Sequence, residues 1–189
     1  QTPRLVGNES AQLVEVLNQW PSTKEAPNLA PAALLEEIES WQRLLQPAVN
    51  NGVYRCGFAR NQSAYNQACG ELFDALKQVE HSLSKKGPWL CGEPLTLADI
   101  RLFPTLIRWE MVYMPLFGCS QEPLWAFPRL WEWRQRLLSI PAIAKTCDSE
   151  AWRDDYFGAL FPLHPSSIVP SGPDLARMVN ASPPDLQRP

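Results

Sequence analysis

The stretch from about Asn61 to Lys86 constrains this 189-residue chain more than any other. Tyr65, Cys69, Leu72, Phe73, Leu76, Val79 and Leu83 recur at the spacing of one helix face. The run ends on Lys85-Lys86-Gly87-Pro88, where cations suit a helix C-terminus and Gly then Pro stop it. The neighbouring patterns are also helical. Leu13, Val14, Val16 and Leu17 make a stripe between Ser10 and about Trp20. Leu34, Ile38, Trp41 and Leu45 make another that begins at Pro31, opposite Glu36, Glu37 and Glu39. A further helix is expected after Pro128, with Leu130, Trp133, Leu137 and Leu138, and a short one over about Ser149 to Phe157. Arg4 to Val6 reads as a short strand. "PSTKEAPNLAP" reads as a loop, and "NNGVYRCGFA" as an interruption between helices. The Pro- and Ser-rich tail from Leu163 is expected to be extended or disordered. No internal repeat is visible. The expected fold class is all-α, a helical bundle with one strand-like scrap at its N-terminus.

The best-defined helix start is "LTLADIRLFPTLIRW". Thr96 can cap the N–H of Asp99, and Asp99 can reach back to the N–H of Thr96. This is a capping box with Asp in place of Glu, and Leu95 and Ile100 hold the staple positions. Its expected role is structural, worth ~1 kcal/mol for each partner. Pro104 requires the helix to bend or otherwise accept a missing N–H.

A 45% hydrophobic fraction with eight Trp suits a globular chain of one domain or a little more. A net charge of −3 without a basic run disfavours nucleic acid as a partner. No apolar run approaches the ~20 residues that span a membrane, and the first residues lack a signal-peptide pattern. Cys56, Cys69, Cys91, Cys119 and Cys147 are odd in number and contain no C-x-x-C pair. With only His81 and His164 beside them, they disfavour a metal site. Free thiols in a reducing compartment, the cytoplasm, are expected, each thiol a small buried hydrophobe.

Two places can carry chemistry. Glu9-Ser10 at a helix start groups backbone N–H donors, a hydroxyl and a carboxylate. The helix end attracts an anion and the Glu an ammonium, which together fit an α-amino acid group. Plain capping by Asn8 or Ser10 accounts for the same residues. In "NNGVYRCGFA", Tyr54 offers a phenol and Arg55 a fork of donors, or the segment is a helix connection with Tyr54 packed in the core. Tyr156 near the end of the last helix faces either a cleft or its neighbours.

Four stretches, "NES", "NNGVYRCGFA", "LCGEPLTLADIRLFPTLIRW" and "HPSSIVPSGP", occur in an order that resembles the glutathionyl-hydroquinone reductases, the xi class of glutathione transferases. The resemblance covers nearly the whole chain. It implies a remnant of a thioredoxin-like, glutathione-binding domain over 1–20, a glutathione transferase C-terminal-type helical domain over 21–160, and an extended tail over 161–189. It places Glu9 and Ser10 on the positions that hold the γ-glutamyl amine and carboxylate of glutathione, the cosubstrate. It places Tyr54 and Tyr156 in the pocket for the aromatic ring of a quinone or hydroquinone conjugate, and it allows a homodimer. The family's nucleophile is a Cys in a Cys-Pro motif of the thioredoxin-like domain. None of the five cysteines here precedes a proline, and Cys119 falls on a helical-domain Cys that is not the nucleophile. The expectation is part of a glutathione-dependent oxidoreductase, inactive by itself. The alternative is a non-catalytic helical module for binding or assembly.

Overall fold

The computed structural model describes residues 9–20, 26–160 and 163–180. The expected strand at Arg4 to Val6 lies outside them. Among the described residues the chain is all-helical, with a single isolated β-bridge between Trp89 and Gly92. The helices are α1 (Ser10–Gln19), α2 (Leu35–Leu45), α3 (Gly52–Gly57), α4 (Gln62–Lys86), α5 (Leu97–Ile107), α6 (Met114–Phe117), α7 (Pro128–Leu138), α8 (Pro141–Ala144), α9 (Ser149–Ala159) and α10 (Leu175–Asn180).

The long helix α4 is the spine. Asn61 caps it by accepting the N–H of Ala64 at 2.9 Å, and Lys85 and Lys86 close its last turn before Gly87. Cys69, Leu72, Phe73, Leu76, Val79 and Leu83 of its stripe are buried. Phe73 meets Trp109 edge to face at 5.8 Å between ring centroids. The helix α7 crosses α4 and is seated by Glu80, whose carboxylate accepts the backbone N–H groups of Arg129 and Leu130. Glu80 thus satisfies orphan donors at the start of α7. Trp133 and Leu130 of α7 are fully buried against α4 and α5.

The structure corrects two sequence readings. "NNGVYRCGFA" is helical over Gly52–Gly57, and the break comes only at 58–61. A wide, π-type turn over Gln46–Asn50 joins α2 directly to α3, so one helical run carries residues 35 to 57. Pro47 explains the turn, because it has no N–H to donate in an ordinary helical register. The ladder resumes when the N–H of Asn51 reaches the carbonyl of Gln46 at 2.9 Å. The tail is also ordered in part. Residues 163–174 run as turns and irregular chain, and α10 then packs on α7.

One face of α1 stays uncovered. Glu15 pairs with Arg101 of α5 at 3.0 Å and Val14 joins the core, but Leu13, Val16, Leu17 and Trp20 are exposed, Leu17 and Trp20 by 63% and 68%. A helix with apolar residues on both faces is built to be covered on both.

Candidate functional site

Two wide turns frame the site. The first, Gln46–Asn50, aims Asn50 at α5, where its side-chain amide donates to the carbonyl of Arg101 at 2.7 Å. One turn further on, α3 presents Tyr54. The second wide turn, Trp109–Tyr113, follows α5. Pro104 sits inside α5, and Arg108 ends it by donating its guanidinium to the Pro104 carbonyl at 2.7 Å. The register change after Arg108 delivers Tyr113. Tyr156 arrives from α9, which packs on this second turn.

The three tyrosine hydroxyls converge. Tyr54 and Tyr156 lie 2.5 Å apart, Tyr113 and Tyr156 3.0 Å, and Tyr54 and Tyr113 3.4 Å. Phe117, buried, fills the space behind them, with its ring centroid 5.4 to 6.1 Å from those of all three. Tyr54 is 38% exposed, Tyr156 half-buried and Tyr113 only 3% exposed. Burial pushes the Tyr113 phenol well above its ordinary range, and Tyr156 moves up for the same first reason. Tyr113 and Tyr156 are therefore neutral phenols, and Phe117 gives all three hydroxyls an apolar backing. Arg55 is not part of the cluster. Its guanidinium is held by Glu71 of α4 at 2.6 Å, on the outer face of α3.

Glu9 and Ser10 open α1. Glu9 is the N-cap residue, its side chain makes no capping bond, and both residues are exposed. Ser10 lies in the first turn and does not cap the helix, while Asn8 lies outside the described residues. Ser10 lines a cleft of about 330 Å³ with Val14, Gln46, Asn50, Ile100 and Pro104. Tyr54 lies four residues beyond Asn50, which lines this cleft.

Thr96 and Asp99 form a reciprocal capping box at the start of α5. Asp99 does more than cap. Its carboxylate accepts the N–H and the hydroxyl of Thr96, the N–H of Leu90 at 3.0 Å and the indole N–H of Trp133 at 2.8 Å. Burial pushes its carboxyl up, and these donors oppose that. The pair is structural, but the expected ~1 kcal/mol for Asp99 needs correcting, because this carboxylate ties three segments together.

All five cysteines are free. Cys119 is fully buried, and its thiol is held far up by its bond to Cys56 and by burial. Cys56 is lowered by the same bond, yet it is 3% exposed. Neither meets the exposure a nucleophile needs. No group of three or more potential metal ligands occurs among the described residues.

Sequence reasoning missed Tyr113. It lies in "WEMVYMP", an apolar run where it reads as packing. The one available signal is its rarity, as the chain has four tyrosines.

Comparison with known proteins finds relatives of this chain. Residues 62–136 match the family model described as glutathione S-transferase, C-terminal domain. The glutathionyl-hydroquinone reductase PcpF of Sphingobium chlorophenolicum is 36% identical over 172 residues, 90% of this chain and 55% of that protein. The glutathione-bound structure of YqjG, a glutathione transferase homolog from Escherichia coli K-12, superposes with a TM-score of 0.84 at 33% identity, covering 90% of this chain and 56% of that one. The xi glutathione transferase ECM4 from Saccharomyces cerevisiae, in complex with glutathione, gives 0.85 at 28% identity, covering 89% and 57%. The chain spans about half the length of the curated relatives it matches.

Proposed function

We propose that this chain, whose residues 62–136 match the glutathione S-transferase C-terminal domain and which follows xi-class members over nine-tenths of its own length, is the ring-binding, helical part of a glutathionyl-hydroquinone reductase. The convergence of the Tyr54, Tyr113 and Tyr156 hydroxyls carries this reading. Neutral phenols on an apolar floor suit an aromatic ring that bears oxygen. Glutathione would lie with its γ-glutamyl ammonium at the Glu9 carboxylate and its carboxylate at the hydroxyl and exposed N–H groups of Ser10, beside the cleft that Ser10 lines with Gln46 and Asn50.

The reaction is a thiol exchange. A thiolate attacks the sulfur of the glutathionyl-hydroquinone, the sulfur–ring bond breaks, and the ring carbon takes a proton. A second glutathione then resolves the mixed disulfide, so the conjugate is reduced to hydroquinone while two glutathiones leave as the disulfide. In this chain the tyrosines hold the ring oxygen as charge develops, and the thiolate comes from a Cys-Pro segment outside the chain. The uncovered face of α1 is where a thioredoxin-like domain would dock.

Turnover of glutathionyl-menadiol tests the reading. The chain alone is expected to bind the conjugate without reducing it. Joined to a thioredoxin-like domain that bears the Cys-Pro motif, it is expected to turn over, and Tyr54→Phe to slow that turnover. Reduction by the chain alone that disappears on replacing one of its own cysteines would overturn the assignment.

A further inference from the structure

Proton counting in the tyrosine cluster leads further. Each phenol has one proton to donate. The Tyr54–Tyr113 separation of 3.4 Å exceeds the usual reach of an O–H···O bond, so the cluster is a chain with Tyr156 in the middle. Two bonds use two of the three protons, and one proton is left over. Suppose Tyr156 donated to Tyr113. The spare proton would then be the one on Tyr113, in the core and without an acceptor, because among the described residues its hydroxyl has only the other two phenols as partners. A buried unpaired donor is the costly arrangement. Tyr113 therefore donates to Tyr156, and the spare proton belongs to Tyr54 or Tyr156, the two phenols that reach the surface.

We propose that Tyr113 is a positioning residue whose buried hydroxyl donates to Tyr156, which leaves the protons of Tyr156 and Tyr54 free to turn to a ligand and makes the site select a phenolate oxygen over a neutral phenol. An oxygen that only accepts takes both of these protons and breaks only the short Tyr54–Tyr156 bond. The bond from Tyr113 stays and polarises Tyr156, as chains of hydrogen bonds do. A phenol that keeps its proton has to place that proton on an oxygen already serving as a donor. The neighbouring charges do not reverse this. Arg108, stacked over Trp152 at 4.6 Å, adds a cation on the Tyr156 side. Glu110, on the same turn as Tyr113, is paired with Arg134 at 2.6 Å. On the other face of α3 lie the thiols of Cys56 and Cys119.

The inference rests on the ring-pocket reading, and the test separates the two. 4-Nitrophenol, whose two protonation states absorb differently, is titrated with the chain across pH, and 4-nitroanisole, which has no ionisable oxygen, is run beside it. The wild type is expected to hold the phenolate more tightly than the phenol. Tyr113→Phe is expected to cut that preference about tenfold, as loss of one charge-assisted bond in the relay would, with 4-nitroanisole affinity unchanged. Tyr65→Phe, which removes a phenol bonded to the Gly118 carbonyl instead, is expected to keep the preference. An undiminished preference in Tyr113→Phe overturns the role of Tyr113 and leaves the pocket standing. Absence of saturable binding of either probe to the wild type overturns the pocket itself. If Tyr113→Phe is unfolded by circular dichroism, proton NMR of the wild type decides. A downfield, slowly exchanging hydroxyl that vanishes in Tyr156→Phe is expected, and its absence, or its persistence in that variant, overturns the relay.

Discussion

Replacing Asp99 with alanine is expected to destabilise the fold by about 3–5 kcal/mol, several times the effect of an ordinary capping loss. The magnitude follows from its partners. Of the donors on the carboxylate, the Thr96 hydroxyl can rotate away, but the N–H groups of Thr96 and Leu90 and the indole of Trp133 are fixed. Each buried donor left unsatisfied costs about 1–3 kcal/mol. The vacated space can admit a water that recovers part of this. Asp99→Asn keeps one oxygen for Leu90 and Trp133 but turns its NH₂ toward the N–H of Thr96, so about 2 kcal/mol is expected. Thr96→Ala removes only the cap and is expected to cost about 1 kcal/mol. Urea midpoints measured on the three variants at neutral pH give the order Ala at 99, Asn at 99, Ala at 96. Tryptophan emission supplies a local check, because the Trp133 indole loses its acceptor in the first. A cost of 1 kcal/mol or less for Asp99→Ala would refute the reasoning and reduce Asp99 to a helix cap.

Gly57→Ala is expected to cost about 1–3 kcal/mol by overpacking and to weaken phenol binding, because its Cβ would overlap the Phe117 ring behind the tyrosines; a thermal melt and a ligand titration check both. Leu17→Lys on the open face of α1 is expected to change stability by no more than about 0.5 kcal/mol and to lower dye binding or self-association of the chain, read by ANS fluorescence and sedimentation. Alkylation by iodoacetamide at pH 8, followed by mass spectrometry, is expected to mark Cys147 first, because it is the most exposed of the five although partial burial raises its thiol too. Cys91 is expected among the last, because burial pushes its thiol up to about 11 and leaves little thiolate at that pH.

Helical periodicity made most of the architecture legible. Stripes in 61–86 and 128–138 have one apolar face each, and a face is what a 3.6-residue period encodes. The capping box was legible for the same reason, since its partners are three residues apart. The further partners of Asp99 were not. Leu90 and Trp133 come from elsewhere in the chain, and only packing brings them to one carboxylate. Only resemblance brought Tyr54 and Tyr156 together, and Tyr113 was not singled out at all, because burial of a phenol tip leaves no periodic mark.

Two prolines show why the site lies where it does. Pro47 and Pro104 each look like a break, as a missing N–H costs about 3 kcal/mol in a regular helix. The chain absorbs Pro47 within a wide turn and follows Pro104 with another, so the helical runs continue in a shifted register. A register shift rotates every residue that follows it. Asn50 and Tyr54 come after or at the end of the first wide turn, and Tyr113 ends the second. In two uninterrupted helices these side chains would point elsewhere on the bundle. The places where local preference is violated are thus the places that bring three phenols to one point, which fits the general tendency of wide turns to mark functional sites.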